Sequence, residues 1–277
     1  QDHLDFHKTM QEYRKAKAIL FRRCDIGVFN GDDAATEKIL ETATCKPLTF
    51  GETPEDDLWA EQPVLHSDGV EFTARYGAAA VPLRLGIPGK FTVYNALGVL
   101  GAAIALGVPL EQAVRALETA KGVKGRVEVV PTPGKDYTVL IDYAHAPDGL
   151  ENVLSSVRGF CKGRLISVFG CGGDRDNTKR PIMGEIGARL SDIAIITSDN
   201  PRTEDPNKII DMILAGIPDK KNCLVEENRR KAIRMAMDLA RKDDIIVLCG
   251  KGHETYQIIG TEKTHLDERE EVAAHLR

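Results

Sequence analysis

Apolar residues in the second half of the chain come in short unbroken runs, YTVLIDYA, RLISVFG, DIAIIT and DIIVLCG. Runs this short and this uniformly apolar predict strands buried on both faces. Between them lie PDGLENVLSSVRGF, TKRPIMGEIGARL, PNKIIDMIL, RRKAIRMAMDLA and a closing LDEREEVAAHLR, whose apolar positions recur every three or four residues as in amphipathic helices. Together with RVEVV ahead of them, strand and helix in alternation predict an α/β domain around a mostly parallel, doubly wound sheet.

The first half has a different texture. Residues 9–22, TMQEYRKAKAILFR, open on a threonine with a glutamate three residues on and continue at helical spacing, which predicts a capped helix carrying Lys17. IGVF reads as a strand, and NGDD as a loop that caps another short helix. Residues 46–85 hold KPLTF, VEFTARY and VPLRL between Gly, Pro and Asp, which predicts antiparallel strands. GKFTVYNALGVLGAAIALG predicts a long buried helix and VPLEQAVRALETA a second, begun by Pro109. The Gly-Val-Lys-Gly run at 122–125 suits a hinge, so the chain is expected to divide into residues 1–122 and 123–277.

Composition narrows the classes. The 42 acids against 37 bases give a formal charge of -5, too balanced for a nucleic-acid or anionic-membrane binder. Six cysteines with no C-x-x-C pair argue against a zinc site and a disulfide framework, and fit a reducing, cytoplasmic setting. The longest apolar stretch, around Val93 to Leu110, is too interrupted to span a bilayer. Gln1-Asp2-His3-Leu4-Asp5 has no initiator Met, no basic segment and no apolar segment, so the chain is expected to be a piece of something longer.

Ligands of doubly wound sheets bind where the strands end, at the carboxyl edge. Four strand ends here are unusually polar: IDYAHAPD (141–148), FGCGGDRDNTKRP (169–181), TSDNPRTEDP (197–206) and LCGKGHETYQ (248–257). Any one of them alone reads as an ordinary capped loop. Together they place two planar guanidinium forks (Arg175, Arg202), a carboxamide that both donates and accepts (Asn200), a stiffening Pro201 and a carboxylate after a Gly-Lys-Gly turn (Glu254) on one edge. That set suits a zwitterionic amino acid better than a nucleobase, and no G-x-G-x-x-G fingerprint is present.

These residues resemble a known family, the Mur ligases, and among them the members that add meso-2,6-diaminopimelate. DHLDFH with YRKAKAILF, NGDD, FTVYNAL, KGRVE, DYAHAPDGLENVL, GCGGDRDNTKRP, DNPRTEDP and GKGHETYQ are similar to that family's signatures, in its order and across essentially the whole chain. The resemblance implies the carboxyl-terminal part of a central ATPase domain at 1–122, followed by a Rossmann-like doubly wound domain at 123–277 that binds the amino acid substrate. It implies an ATP-dependent amide ligase of peptidoglycan synthesis that joins meso-2,6-diaminopimelate to UDP-N-acetylmuramoyl-L-alanyl-D-glutamate through an acyl phosphate, with ATP and Mg²⁺ as cofactors. A monomer is expected, with no nucleic acid and no membrane among its partners.

Residue by residue, the resemblance makes Asp199, Asn200, Pro201 and Arg202 the diaminopimelate-recognition loop, with Arg175, Gly250 and Glu254 as further contacts. It makes Asn95 an adenine contact, Arg126 a phosphate contact, and Asp142 with His145 contacts to ribose and adenine. His3 resembles the family's metal-ligating histidine and Lys17 the lysine that carries a carbamate, an anionic oxygen donor suited to Mg²⁺. Taken alone, Lys17 reads as a solvated helix lysine and His3 as a surface or capping residue.

Lys124, Ala146 and Thr92 stand where the family more often has proline, threonine and asparagine. No G-x-x-x-x-G-K-[ST] phosphate loop occurs in the 277 residues. The phosphate loop, a magnesium-holding glutamate and the uridine-nucleotide domain are therefore expected upstream of Gln1, and the chain alone is expected not to hydrolyse ATP. Two rival readings are a folylpolyglutamate-synthase-type ligase, against which DNPR followed by GKGHE argues, and a non-catalytic relative that serves as an assembly partner.

Overall fold

The computed structural model describes residues 9–277, so His3 lies outside the described residues. Contacts divide the described residues into two compact units, residues 9–65, 69–85 and 90–120 in the first, and 66–68, 86–89 and 121–277 in the second.

In the first unit, helix α1 (Met10–Ala18) begins where Thr9 accepts the Glu12 amide at 3.2 Å, as the threonine-x-x-glutamate pattern requires. A single 3₁₀ turn (Leu20–Arg22) follows. Strands β1 (Ile26–Asn30), β2 (Lys46–Gly51), β3 (Leu58–His66), β4 (Gly69–Tyr76) and β5 (Ala79–Leu85) form one sheet in that order. The expectation of antiparallel strands holds for the β4–β5 hairpin only in part of the segment, because β2 runs parallel to both β1 and β3. For β1 and β2 the reason is tertiary: the short helix α2 (Thr36–Leu40) carries the chain back to the starting end of β1, and a crossover allows parallel pairing. NGDD also differs from expectation. It forms a turn, with Asp33 accepting the Ala35 amide at 2.8 Å, and α2 begins at Thr36 without a side-chain cap.

Helix α3 (Lys90–Ala105) supplies the core of this unit, packing Val93, Ala96, Leu97 and Leu100 against Leu48, Leu58, Val70 and Phe72 of the sheet. Gly101 permits the approach, since a Cβ there would lie 2.8 Å from Val28. Helix α4 (Leu110–Leu117), with Pro109 at its N-cap, adds Ala113 and Val114.

The second unit holds a six-stranded sheet built from β6 (Glu128–Val130), β7 (Thr138–Asp142), β8 (Leu165–Phe169), β9 (Ile193–Ile196), β10 (Cys223–Val225) and β11 (Ile245–Cys249), in the order β10-β9-β8-β11-β7-β6. All pairs are parallel except β6–β7. Strand alternation divides the buried side chains between two faces. Val139, Ile141, Ile166, Val168, Ile246 and Leu248 meet helices α8 (Arg229–Leu239) and α9 (Glu268–His275). Phe169 belongs to the other set and touches Gly187 of α6 (Lys179–Leu190), which lies between α5 (Pro147–Arg158) and α7 (Pro206–Leu214). With both faces covered, β8 and β11 are buried at every position, which is why they read as continuous apolar runs. A two-stranded hairpin, β12 (Tyr256–Ile259) and β13 (Glu262–His265), follows β11. No helix among the described residues is long and apolar enough to cross a membrane.

Candidate functional site

The parallel strands of the second unit all point one way, so the loops after β7, β8, β9 and β11 emerge at the carboxyl edge. Three of them interlock. Asn200, in the loop after β9, donates from Nδ2 to Glu254 Oε2 at 3.1 Å, in the loop after β11. Its Oδ1 accepts from Lys251 Nζ at 2.9 Å and from the Ile258 amide at 3.0 Å. Arg202 donates from Nη1 to the carbonyl of Gly173, in the loop after β8, at 2.7 Å. Glycine at 173 is obligatory, because a Cβ would stand 1.9 Å from the Pro201 carbonyl oxygen.

The hairpin β12–β13 fixes the backbone of Arg202. The Arg202 amide donates to Ile258 O at 3.2 Å and the Gly260 amide to Arg202 O at 2.7 Å. These bonds hold a non-glycine residue at a φ of 52°, a left-handed conformation that costs about 1 kcal/mol or more. The fork is thus aimed by tertiary pairing against its local preference. Arg175 is exposed, bonds the Asp174 carbonyl at 3.1 Å, and, like Arg202, flanks the position a Cβ would take at Gly172.

Arg202 and Glu254 are tied to one rim by Asn200, which bonds Glu254 and the Ile258 amide, and by Ile258, whose carbonyl accepts the Arg202 amide. Burial pushes the Tyr256 phenol up, and the charge and hydrogen bond of Glu254 push it further. Asp199 lies deeper, with Oδ1 3.1 Å from Lys251 Nζ. Burial alone would raise its carboxyl, but Lys251 and then Arg229 outweigh that and hold it below the usual carboxylate range. Gly250, at a φ of 113°, brings the chain past Asp199, where a Cβ would come within 2.8 Å of Oδ2. Pro201 is buried beneath Arg202.

The residues assigned to nucleotide fall in different units. Asn95 is exposed on α3, in the first unit. Arg126, Asp142 and His145 belong to the second unit, where Arg126 stands 5.3 Å over the ring of Tyr143 and His145 lies 4.6 Å from the same ring. The His253 ring also lies close, 4.9 Å from that of Tyr143. Asp142 is buried, and its two oxygens accept the amides of Val127 and Ala144, each at 2.8 Å. Its carboxylate therefore has a structural task, pinning Val127 at a φ of 46°. Burial raises the Asp142 carboxyl against those two amides and the Arg126 charge.

Lys17 is exposed in the last turn of α1, with Nζ 5.4 Å from the Tyr13 ring. An unmodified ammonium repels a cation, and among the described residues no group of three or more His, Cys, Asp and Glu could hold a metal ion. Of the expected magnesium ligands, only Lys17 lies among the described residues.

Sequence reading missed several members of the assembly. Lys251 was hidden in a Gly-Lys-Gly turn that looks solvent-facing. Arg229 and Glu268, both fully buried and paired at 2.8 Å, sit in helices whose charges read as surface; Arg229 also bonds the Cys249 carbonyl at 2.7 Å at the root of the Gly250 loop. Arg180 joins the loops after β8 and β9 by gripping Glu204 through both nitrogens, at 2.9 and 2.8 Å, and Gly172 O at 3.2 Å. No periodicity separates such arginines from solvated ones.

Fold and site thus define a doubly wound α/β domain that presents arginine forks and a carboxylate at the carboxyl edge of its sheet. The Mur ligase middle domain matches residues 1–103 and the Mur ligase glutamate ligase domain matches residues 125–252, so the chain belongs to the Mur ligase family. It is 53% identical over 271 residues to the UDP-N-acetylmuramoyl-L-alanyl-D-glutamate--2,6-diaminopimelate ligase of Clostridium botulinum, covering 98% of this chain and 56% of that protein. To ligase 1 of the same name from Clostridium acetobutylicum it is 50% identical, covering 100% and 58%. A solved structure of a UDP-N-acetylmuramoyl-L-alanyl-D-glutamate--2,6-diaminopimelate ligase superposes with a TM-score of 0.79 at 33% identity, over 100% of this chain and 58% of that one. The chain therefore spans a little over half the length of these relatives.

Proposed function

We propose that this chain forms the amino-acid-binding part of a cytoplasmic ATP-dependent ligase that joins meso-2,6-diaminopimelate to UDP-N-acetylmuramoyl-L-alanyl-D-glutamate. On this reading residues 1–122 belong to the central ATP-binding domain and residues 123–277 form the substrate domain. The observation that carries it is the interlocking of the loops after β8, β9 and β11, which brings Arg202 and Glu254 to one rim.

The chemistry follows from what those groups can hold. Arg202 and Arg175 offer planar donors to the distal carboxylate, and Glu254 accepts from the distal ammonium. Anchoring that end leaves the other amine of the substrate to react. ATP supplies activation, converting the D-glutamyl carboxylate to an acyl phosphate with release of ADP. The amine then adds to the carbonyl carbon, inorganic phosphate leaves, and the amine gives up a proton. The second unit contributes orientation, which accounts for a large part of the barrier in two-substrate reactions. Arg126 and His145, grouped around Tyr143, are its proposed nucleotide contacts, while Asn95 is the proposed contact from the first unit. Lys17 is proposed to act as a carbamate, which ¹³C-labelled bicarbonate and NMR would reveal.

L-Lysine lacks the distal carboxylate and leaves the guanidinium forks unpaired. Sites built on such pairing reject the deficient ligand strongly, up to about 10⁴-fold. Calorimetry should show meso-2,6-diaminopimelate binding at least about a hundredfold more tightly than L-lysine. Equal affinity for the two, or binding of neither, would refute the assignment.

A further inference from the structure

Lys251 has no direct part in the recognition just described, yet three groups of that site touch it. Its side chain is fully buried, where an ammonium is costly unless its protons have partners. Nζ lies 3.1 Å from Asp199 Oδ1, 2.9 Å from Asn200 Oδ1 and 3.6 Å from Glu254 Oε2. With three acceptors around it and no exposure, the ammonium cannot meet a ligand itself.

Its first effect is on Asn200. A carboxamide has two orientations related by exchange of O and NH₂. Here Oδ1 faces two donors, Lys251 Nζ and the Ile258 amide. Exchange would set the NH₂ group against both. The Lys251 charge therefore locks Asn200 with Nδ2 turned to Glu254 Oε2.

Its second effect is on charge. One ammonium stands between two carboxylates. It is closer to Asp199, whose side chain is 8% exposed, than to Glu254, which is 15% exposed. Compensating the deeper carboxylate leaves net negative charge on the outer one, where an external cation can reach it.

We infer that Lys251 is a positioning residue: an internal ammonium that satisfies Asp199, locks the Asn200 carboxamide, and leaves Glu254 as the carboxylate presented to the distal ammonium of the substrate. This rests on the diamino-diacid reading of the rim, and the test separates the two. In the ligand-free chain, the Asn200 side-chain NH₂ should give ¹⁵N–¹H signals slow to exchange with solvent in the wild type. In Lys251→Met those signals should lose protection, and calorimetry should show meso-2,6-diaminopimelate binding weakened by at least about tenfold. Lys251→Arg, which keeps the charge, should recover part of both.

Should Lys251→Met fail to fold because it strands Asp199, the double variant D199N/K251M removes both members of that pair and is compared with D199N alone. Protection of Asn200 is then lost only in the double variant. Unchanged Asn200 protection without Lys251, or wild-type affinity in Lys251→Met, overturns the inference. A wild-type chain that does not bind meso-2,6-diaminopimelate sinks the site reading instead, and the exchange measurement still decides whether Lys251 locks Asn200.

Discussion

At the scale of single residues, the second unit is governed by buried charges that must be paired. Asp199 is held below the usual carboxylate range chiefly by Lys251 and Arg229 working against burial. A depressed carboxyl stabilises the fold fully above its unfolded value of about 3.9 and loses that contribution as pH falls through the lower folded value. Asp199→Asn should therefore lower stability at pH 7 by about 3 kcal/mol. The gap from wild type should narrow as pH is taken below about 4, which denaturant unfolding across pH 3–7 would measure. At the rim, Arg202→Lys keeps the charge but removes the fork. We expect about tenfold weaker binding of meso-2,6-diaminopimelate by calorimetry, with little change in the thermal midpoint.

At the scale of elements, loops after different strands are held at van der Waals contact. Gly173→Ala would drive a methyl into the Pro201 carbonyl, 1.9 Å from the ideal Cβ position. The loops after β8 and β9 must then part, so ligand affinity should fall by more than the thermal midpoint does, a comparison of calorimetry with thermal unfolding. Helices α8 and α9 are joined by the buried Arg229–Glu268 pair, in which Arg229 Nη1 and Glu268 Oε2 have no hydrogen-bond partner among the described residues. Removing one member leaves the other charge alone in the core, so Glu268→Gln should destabilise by about 3–5 kcal/mol in equilibrium unfolding. Local pattern announced most of these elements. Thr9 before Glu12 marked the start of α1, and the unbroken apolar runs marked β7, β8, β9 and β11. It did not announce that β2 pairs in parallel with β1, because strand direction depends on where α2 returns the chain, which no window of a few residues contains.

At the scale of the whole molecule, the six cysteines form no disulfide. Cys249 is fully buried, and burial pushes the Cys171 thiol up to about 12. Titration with an aromatic disulfide reagent should find these two thiols silent in the native chain and reactive only once the second unit unfolds, giving a direct readout of that unit's stability. Taken alone, the sequence determined the helices of the second unit and its strands β7, β8, β9 and β11, because burial on both faces of a parallel sheet imposes an apolar run that can be read by eye; it did not mark β10 or the β12–β13 hairpin, which are short and mostly exposed or half-buried. It also determined that polar loops follow the strands it marked. Tertiary structure decided which polar side chains are inside. Lys251, Arg180, Arg229 and Glu268 carry the same letters as solvated residues, and only the packing of distant loops and helices around them supplies the opposite charges and carbonyls that make burial tolerable. The left-handed Arg202 has the same origin: its local preference opposes that conformation, and hydrogen bonds from a hairpin more than fifty residues away impose it.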